Sequence, residues 1–388
     1  MKKKLALCAV LMCCVLCAMV FKPRTAEDSG SQSGVDEITL KQTDTPEPSL
    51  PSGSPDAGKK GDSSMSEPAQ PVQAGTSGKK QRKYKRITSK AKVKTFGGTI
   101  QIGESGYELY NYVKDSARKY ASTVNDVAAK LKGTSKVYDI VVPTSIGITL
   151  PDNKVKKINS SDQKQAVKEM YRMLDKKVTG VSVYDILMQH RTEYLYFRTD
   201  HHWTQKGAYY VYQEFCQEKG ISPHELSEYR LKNFGSYLGS FYLDTNKSQE
   251  LRIDKVRAYY PVNNKHIQMD YTDEHGVTYR SNVICDGSNY GTSLKYVAFL
   301  AGDNPYTVIK NKKIKDGSTC VVVKESFANA FVPFLADHYQ KIYVIDYRYW
   351  KGSVSALARK EKAQEVIFLN NISMTRNAYL LGKLAQVK

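Results

Sequence analysis

The sequence predicts an α/β fold, a mainly parallel sheet flanked by helices with a β-rich insertion. Three observations carry that expectation. Short apolar runs that read as strands alternate with segments of helical 3–4 spacing. The runs are nearly continuous, as in strands covered on both faces. Between residues 221 and 300 the rhythm gives way to Tyr-, Asn- and Gly-rich sequence with short β-type runs such as Arg257-Ala258-Tyr259-Tyr260.

Composition confines that fold to one part of the chain. Of 388 residues, 41% are hydrophobic and 25% charged, ordinary soluble values that exclude a wholly disordered or multi-spanning protein. Lys2, Lys3 and Lys4 precede an uncharged apolar run over 5–21, and Lys22 and Arg24 follow it. A basic flank before an apolar stretch directs export. No Ala-x-Ala site stands out, so 1–21 reads as an uncleaved signal anchor in the cell membrane, with a cleaved signal peptide and a secreted protein as the alternative. Either way the remainder lies outside the cytoplasm.

Residues 22–78 carry nine acids and five bases among Ser, Pro, Gly and Thr, with almost no aromatics. They bury too little apolar surface to offset chain entropy and read as a disordered linker. The linker ends in a basic block, 79–94, with nine positive charges and no acid. Such a block suits an anionic membrane surface or an acidic wall polymer, and equally a solvated tether. Export makes nucleic acid a poor partner. Of the formal +19, about +11 remains in 95–388.

From Thr95 the chain reads as globular to its end. Val113, Ala117, Tyr120, Val124, Val127 and Leu131 predict a helix closed by Gly133. A buried strand over 137–142 stops at Pro143, a helix covers 162–177, and a strand covers 181–185. Thr204 would cap a helix whose apolar face is Ala208, Val211, Tyr212, Phe215 and Cys216, ended by Gly220. After the insertion come a strand at 319–323, a helix from Phe327 to about Tyr339, and strands at 342–345 and 366–369. Only Cys216, Cys285 and Cys320 lie beyond the leader, widely spaced and without a CxxC. That argues against a disulfide framework or a zinc site and leaves room for one bridge.

The densest polar cluster is Arg198-Thr199-Asp200-His201-His202-Trp203-Thr204. In an extended segment Asp200 and His202 would face one pocket while His201 points away. A carboxylate beside an imidazole fixes its tautomer and stabilises the imidazolium. The same residues also suit a metal site or a hydrogen-bonded turn, and Trp203 suits a core position or a sugar-stacking platform. The nucleophile candidate is Ser326 in Lys324-Glu325-Ser326-Phe327-Ala328-Asn329, at the exit of a strand and the start of a helix. Such helix starts offer unpaired N–H groups to an oxyanion. Read blandly, Ser326 is an N-cap. Ser105, in a Gly-rich turn ahead of a supposed helix at Tyr107, is a weaker competitor.

These two stretches resemble the DHHW family of exported bacterial proteins, which is similar to the alginate O-acetyltransferase branch of the SGNH hydrolase superfamily. The resemblance spans roughly 95–388. It implies an SGNH-like, flavodoxin-type sheet bearing an acyl-transfer site with Ser326 as nucleophile, His202 as base and Asp200 as its orienting carboxylate. Phe327, Asn371 and Gly302 are candidate oxyanion donors; Trp203, Arg198 and His201 are candidate substrate contacts. Glu325 stands where the family often has Asp or Thr. The implied function is O-acyl transfer or ester hydrolysis on a cell-surface polysaccharide or wall polymer, without metal, nucleotide or other cofactor, and with a membrane acyl-donor protein as a plausible partner. Twenty-eight tyrosines fit a carbohydrate surface and equally a β-rich core. The alternative from another class is a non-catalytic envelope-polymer binding protein.

Overall fold

A computed structural model describes residues 84–388. The signal anchor, most of the linker and the first part of the basic block lie outside the described residues. No helix among the described residues is long and apolar enough to cross a membrane.

The described part of the basic block already packs on the domain. Ile87 N–H donates to Asp152 Oδ2 (2.8 Å), and Asp152 N–H returns a bond to Ile87 O (2.8 Å). Strand β1 (Val93–Phe96) then pairs with β2 (Thr99–Ile102), and β2 with β3 (Ser105–Glu108), all antiparallel. Thus 84–94 packs on the domain, and Tyr107 lies in a strand rather than a helix. Ser105 opens β3, with Ile102 as its register partner, away from any strand-to-helix turn.

The central sheet has eight strands. In spatial order they are β5 (Val178–Gly180), β4 (Lys136–Val142), β13 (Glu365–Asn371), β11 (Thr319–Lys324), β12 (Lys341–Asp346), β10 (Tyr306–Asn311), β8 (Ile267–Thr272) and β9 (Thr278–Ser281). Four pairings from β5 through β12 are parallel and the remaining three antiparallel. The expectation of a mainly parallel sheet therefore fits five strands, and the whole is mixed. Part of the 221–300 insertion supplies the antiparallel extension. The rest forms a two-stranded sheet, β6 (Arg230–Tyr237) with β7 (Asp254–Tyr260).

Period-two alternation explains the three layers. Val321 and Val323 of β11 join the core that holds the helices Lys114–Lys130, Val354–Lys360 and Ala378–Gln386. Cys320 and Val322 face the opposite core, with Gln205–Lys219 and Ala328–Leu335. Thr204 caps the first of these two helices by accepting from Gly207 N–H, and Gly220 ends it at φ +78°. Residues 181–185, expected as a strand, instead follow the three-residue β5 and lead into the helix Tyr184–Gln189. Cys216, Cys285 and Cys320 are free thiols.

Candidate active site

Strand β11 is buried over all six residues and leaves the sheet at its carboxyl edge as Lys324-Glu325-Ser326. Ligand sites of open α/β sheets gather at that edge. Ser326 is buried, with 8% of its surface exposed. Two bonds hold the turn that presents it: Trp203 Nε1–H donates to Phe327 O (2.8 Å), and Tyr296 O–H donates to Ser326 O (3.1 Å).

Asp200 and His202 come from a bend closed by the antiparallel bridge Tyr196–Trp203. Buried Asp254, reaching in from β7, gathers the bend by accepting from Arg198 N–H, Thr199 N–H, Thr199 O–H (2.6 Å) and Tyr194 O–H (2.5 Å). Asp200 Oδ1 accepts from His202 N–H at 2.9 Å, a side-chain-closed turn rather than the extended segment expected. The same oxygen lies 2.6 Å from His202 Nδ1, and Asp200 Oδ2 accepts from Ser240 N–H at 2.9 Å. Gly239 makes this approach feasible, because a Cβ there would stand 2.1 Å from Asp200 Oδ2.

On its other side, His202 Nε2 lies 2.7 Å from Ser326 Oγ. Three side chains drawn from two stretches 124 positions apart thus form one row, Asp200–His202–Ser326. The row is consistent with a single tautomer: Nδ1 donates to the carboxylate and Nε2 accepts from the serine hydroxyl. Tyr296 stacks on the His202 ring at 4.0 Å and 18°, and His201 lies over it at 3.9 Å. Burial alone would raise the Asp200 carboxyl, yet His201, His202 and its hydrogen bonds hold it well below the usual carboxylate range. Burial, reinforced by His201, pushes the His202 imidazole below its ordinary value against the opposing pull of Asp200 and Glu325. A neutral imidazole on a serine hydroxyl can take its proton, and the carboxylate behind can stabilise the resulting cation.

The backbone N–H groups of all three expected oxyanion donors are already spent. Phe327 N–H donates to Glu325 Oε2 (3.2 Å), and Gly302 N–H donates to Phe299 O (3.0 Å) in a left-handed turn. The cause at Phe327 is that Glu325 points inward. Its other oxygen accepts from Asn371 N–H (2.9 Å), while Oε2 also lies 3.2 Å from Ser326 Oγ. Asn371 Oδ1 caps the following turn through Ser373 and Met374 N–H. Ser326 N–H has no hydrogen-bond partner among the described residues, which leaves it as the amide able to receive an oxyanion.

Of the candidate substrate contacts, Trp203 is fully buried, so the platform reading is corrected to core. The Arg198 guanidinium lies 4.6 Å over the Tyr194 ring and 3.6 Å from Asp254, committed to the bend. His201 keeps a partly exposed side chain beside the row and bonds Ser240 Oγ (2.8 Å). Donor atoms of Asp200, His201 and His202 lie within 4.8 Å of one another, but their facing atoms bond each other or Ser240. Sequence reasoning missed Tyr296, Ser240, Gly239 and Asp254. Each acts through a fold contact that no local pattern marks.

Comparison with solved structures places this architecture among known folds. A DHHW family protein from Eubacterium siraeum superposes with TM-score 0.69 at 25% identity, covering 76% of this chain and 97% of that one. Bacillus cereus PatB1, solved with a sulfonyl adduct, superposes with TM-score 0.63 at 18% identity, covering 75% and 98%. No curated protein has a matching sequence. The family model described as "DHHW protein" matches residues 79–345, most of the chain and both stretches of the site, and the protein belongs to the DHHW family.

Proposed function

We propose that this protein is an extracytoplasmic, serine-dependent O-acyl transferase or esterase, with acetyl as the expected group and a cell-surface polysaccharide or wall polymer as acceptor, on an SGNH-like sheet. One observation carries the reading: the Asp200–His202–Ser326 row, with its two links of 2.6 and 2.7 Å at the carboxyl edge of a parallel strand. His202 Nε2 takes the hydroxyl proton as Ser326 Oγ attacks the acyl carbonyl. The tetrahedral oxyanion forms against Ser326 N–H. His202 then returns the proton to the departing oxygen, leaving an acyl-serine that a sugar hydroxyl or water resolves. Groups of this chain carry every step, with no call on a cofactor. The signal anchor would hold the domain at the membrane, the basic block would meet an anionic surface, and a membrane acyl-donor protein would supply the acyl group.

The test is covalent labelling of the full chain with an aryl sulfonyl fluoride, followed by peptide mapping, beside turnover of an acetyl-ester reporter. The adduct is expected on Ser326. Ser326→Ala should lose both adduct and turnover while keeping its thermal unfolding midpoint. An adduct confined to another residue, or turnover that survives the substitution, overturns the reading.

A further inference from the structure

A concave site lies on the same sheet edge as Ser326. It is a shallow, open cavity of about 420 Å³ lined by Tyr306, Tyr349 and Trp350 together with Asp273, Glu274 and Lys351. Antiparallel pairing puts it there. Tyr306 opens β10 opposite Ile345 near the carboxyl end of β12, and Thr272 closes β8 opposite Tyr306. At ~4.8 Å between neighbouring strands, β10 lies about 10 Å and β8 about 14 Å from β11, the strand that presents Ser326.

The aromatic wall is held in place before any ligand arrives. Trp350 is half-buried and its ring lies at 17° to that of Tyr306, with centroids 6.5 Å apart. The indole also packs on Gly352, where a Cβ would come within 2.3 Å of the ring. Trp350 and Tyr349 N–H both donate to Asp346 O, at 2.9 and 3.1 Å. Asp346 in turn is anchored to buried Lys324 (2.7 Å), two residues before Ser326, and to Arg348 (2.6 Å). The loop bearing the rings is therefore tied to the strand bearing the serine.

Rigid, partly exposed ring faces beside carboxylates and an ammonium suit a ligand with one apolar C–H face and a rim of hydroxyls. The rings meet the C–H face, and the charged rim exchanges hydrogen bonds with the hydroxyls. A purely apolar ligand would waste Glu274 and Lys351, and a polyanion would meet two carboxylates, Glu274 and Asp273, the second of which already accepts from His275 and Val277 N–H in the β8–β9 turn. Resting on the function proposed above, we propose that this cavity is a remote subsite for an uncharged hexopyranose chain. It would grip the acceptor polymer a few sugar residues from the hydroxyl presented to Ser326.

The test separates the subsite from the chemistry by titrating cellohexaose and chitohexaose into Ser326→Ala protein by calorimetry. At least one oligosaccharide should bind. Trp350→Ala in that background should weaken it by at least tenfold, and Gly352→Ala, which pushes the indole aside, should weaken it similarly. Trp350→Phe, which keeps a ring face, should recover most of the affinity and shows that the loop still folds. Binding of neither oligosaccharide, or binding indifferent to Trp350→Ala, overturns the subsite. The ester-reporter comparison of wild type with Ser326→Ala decides the serine chemistry independently. Oligosaccharide binding through Trp350 without Ser326-dependent turnover would sink the enzyme reading and leave the subsite standing.

Discussion

Asp139→Asn probes a buried carboxyl that the proposed chemistry does not use. Asp139 sits in the middle of β4, fully buried, and accepts from Tyr120 O–H on the helix Lys114–Lys130. Its second oxygen has no partner among the described residues, and neither does Asn370 Oδ1 on the adjoining strand. Burial lifts the carboxyl from 3.8 to about 7, against the Tyr120 bond. Between those two values the unfolded chain has lost the proton while the folded chain keeps it. The stability Asp139 contributes is thus complete below the lower value and drains away as pH rises to the upper. The span is 7 − 3.8 = 3.2 units, or about 4 kcal/mol at ~1.4 kcal/mol per unit. Asparagine keeps the acceptor for Tyr120 and cannot ionise. Urea unfolding of both proteins from pH 5 to pH 7 should therefore show the variant gaining on wild type by roughly 2 kcal/mol, at equal m-values, since the folded carboxyl is itself about half-ionised at the upper end. A difference that stays level across that interval would mean the carboxylate is already ionised and paired, and the reasoning fails.

Other outcomes follow from the site itself. Because burial and His201 both hold the His202 imidazole low, the acid limb of kcat/KM should lie below the ordinary histidine value of 6.5. His201→Asn should move that limb to higher pH, whereas an unmoved limb would remove His201 from the electrostatics of the row. Gly239→Ala would drive a methyl into Asp200; reporter turnover should fall by two orders of magnitude or more with sulfonylation slowed in parallel, an expectation about the size of losing a triad member's orientation. Ala301→Gly should raise stability by about 1 kcal/mol, since Ala301 sits at φ +55° beside Leu300 and Gly302 in a left-handed run. A lower unfolding midpoint would show that the methyl packs usefully.

What the sequence revealed depended on how local the physics was. Strands β4, β11, β12 and β13 are legible because burial on both faces demands unbroken apolar runs, and the helix Gln205–Lys219 because Thr204 and Gly220 mark its ends. The pairing of Asp200 with His202 was readable from a spacing of two, although a turn rather than an extended segment produces it. The strands β1 to β3 were hidden because they are short and partly polar, held by turns at Gly97 and Gly103 with positive φ. Residues 181–185 look β-branched and extended, yet β5 ends before them and the helix from Tyr184 begins within them. Asp254 could not be found at all. A lone acid entering an alternating strand gives no sign that it will collect four donors from a bend about 55 residues upstream.

Glu325 shows why a residue that looks wrong for the chemistry can still stand beside the serine. A carboxylate about 4 Å from a forming oxyanion costs about 4 kcal/mol at an effective dielectric of 20. Here the charge is shared out: one oxygen takes Asn371 N–H and the other Phe327 N–H, so backbone dipoles offset part of it. The same charge also raises the proton affinity of His202. In the proposed reaction the oxyanion and the imidazolium appear together, so Glu325 opposes one and favours the other within a single transition state. Its net effect is smaller than either contribution alone. Its bond to Asn371 meanwhile ties the serine turn to the end of β13, a structural return that an apolar side chain could not supply.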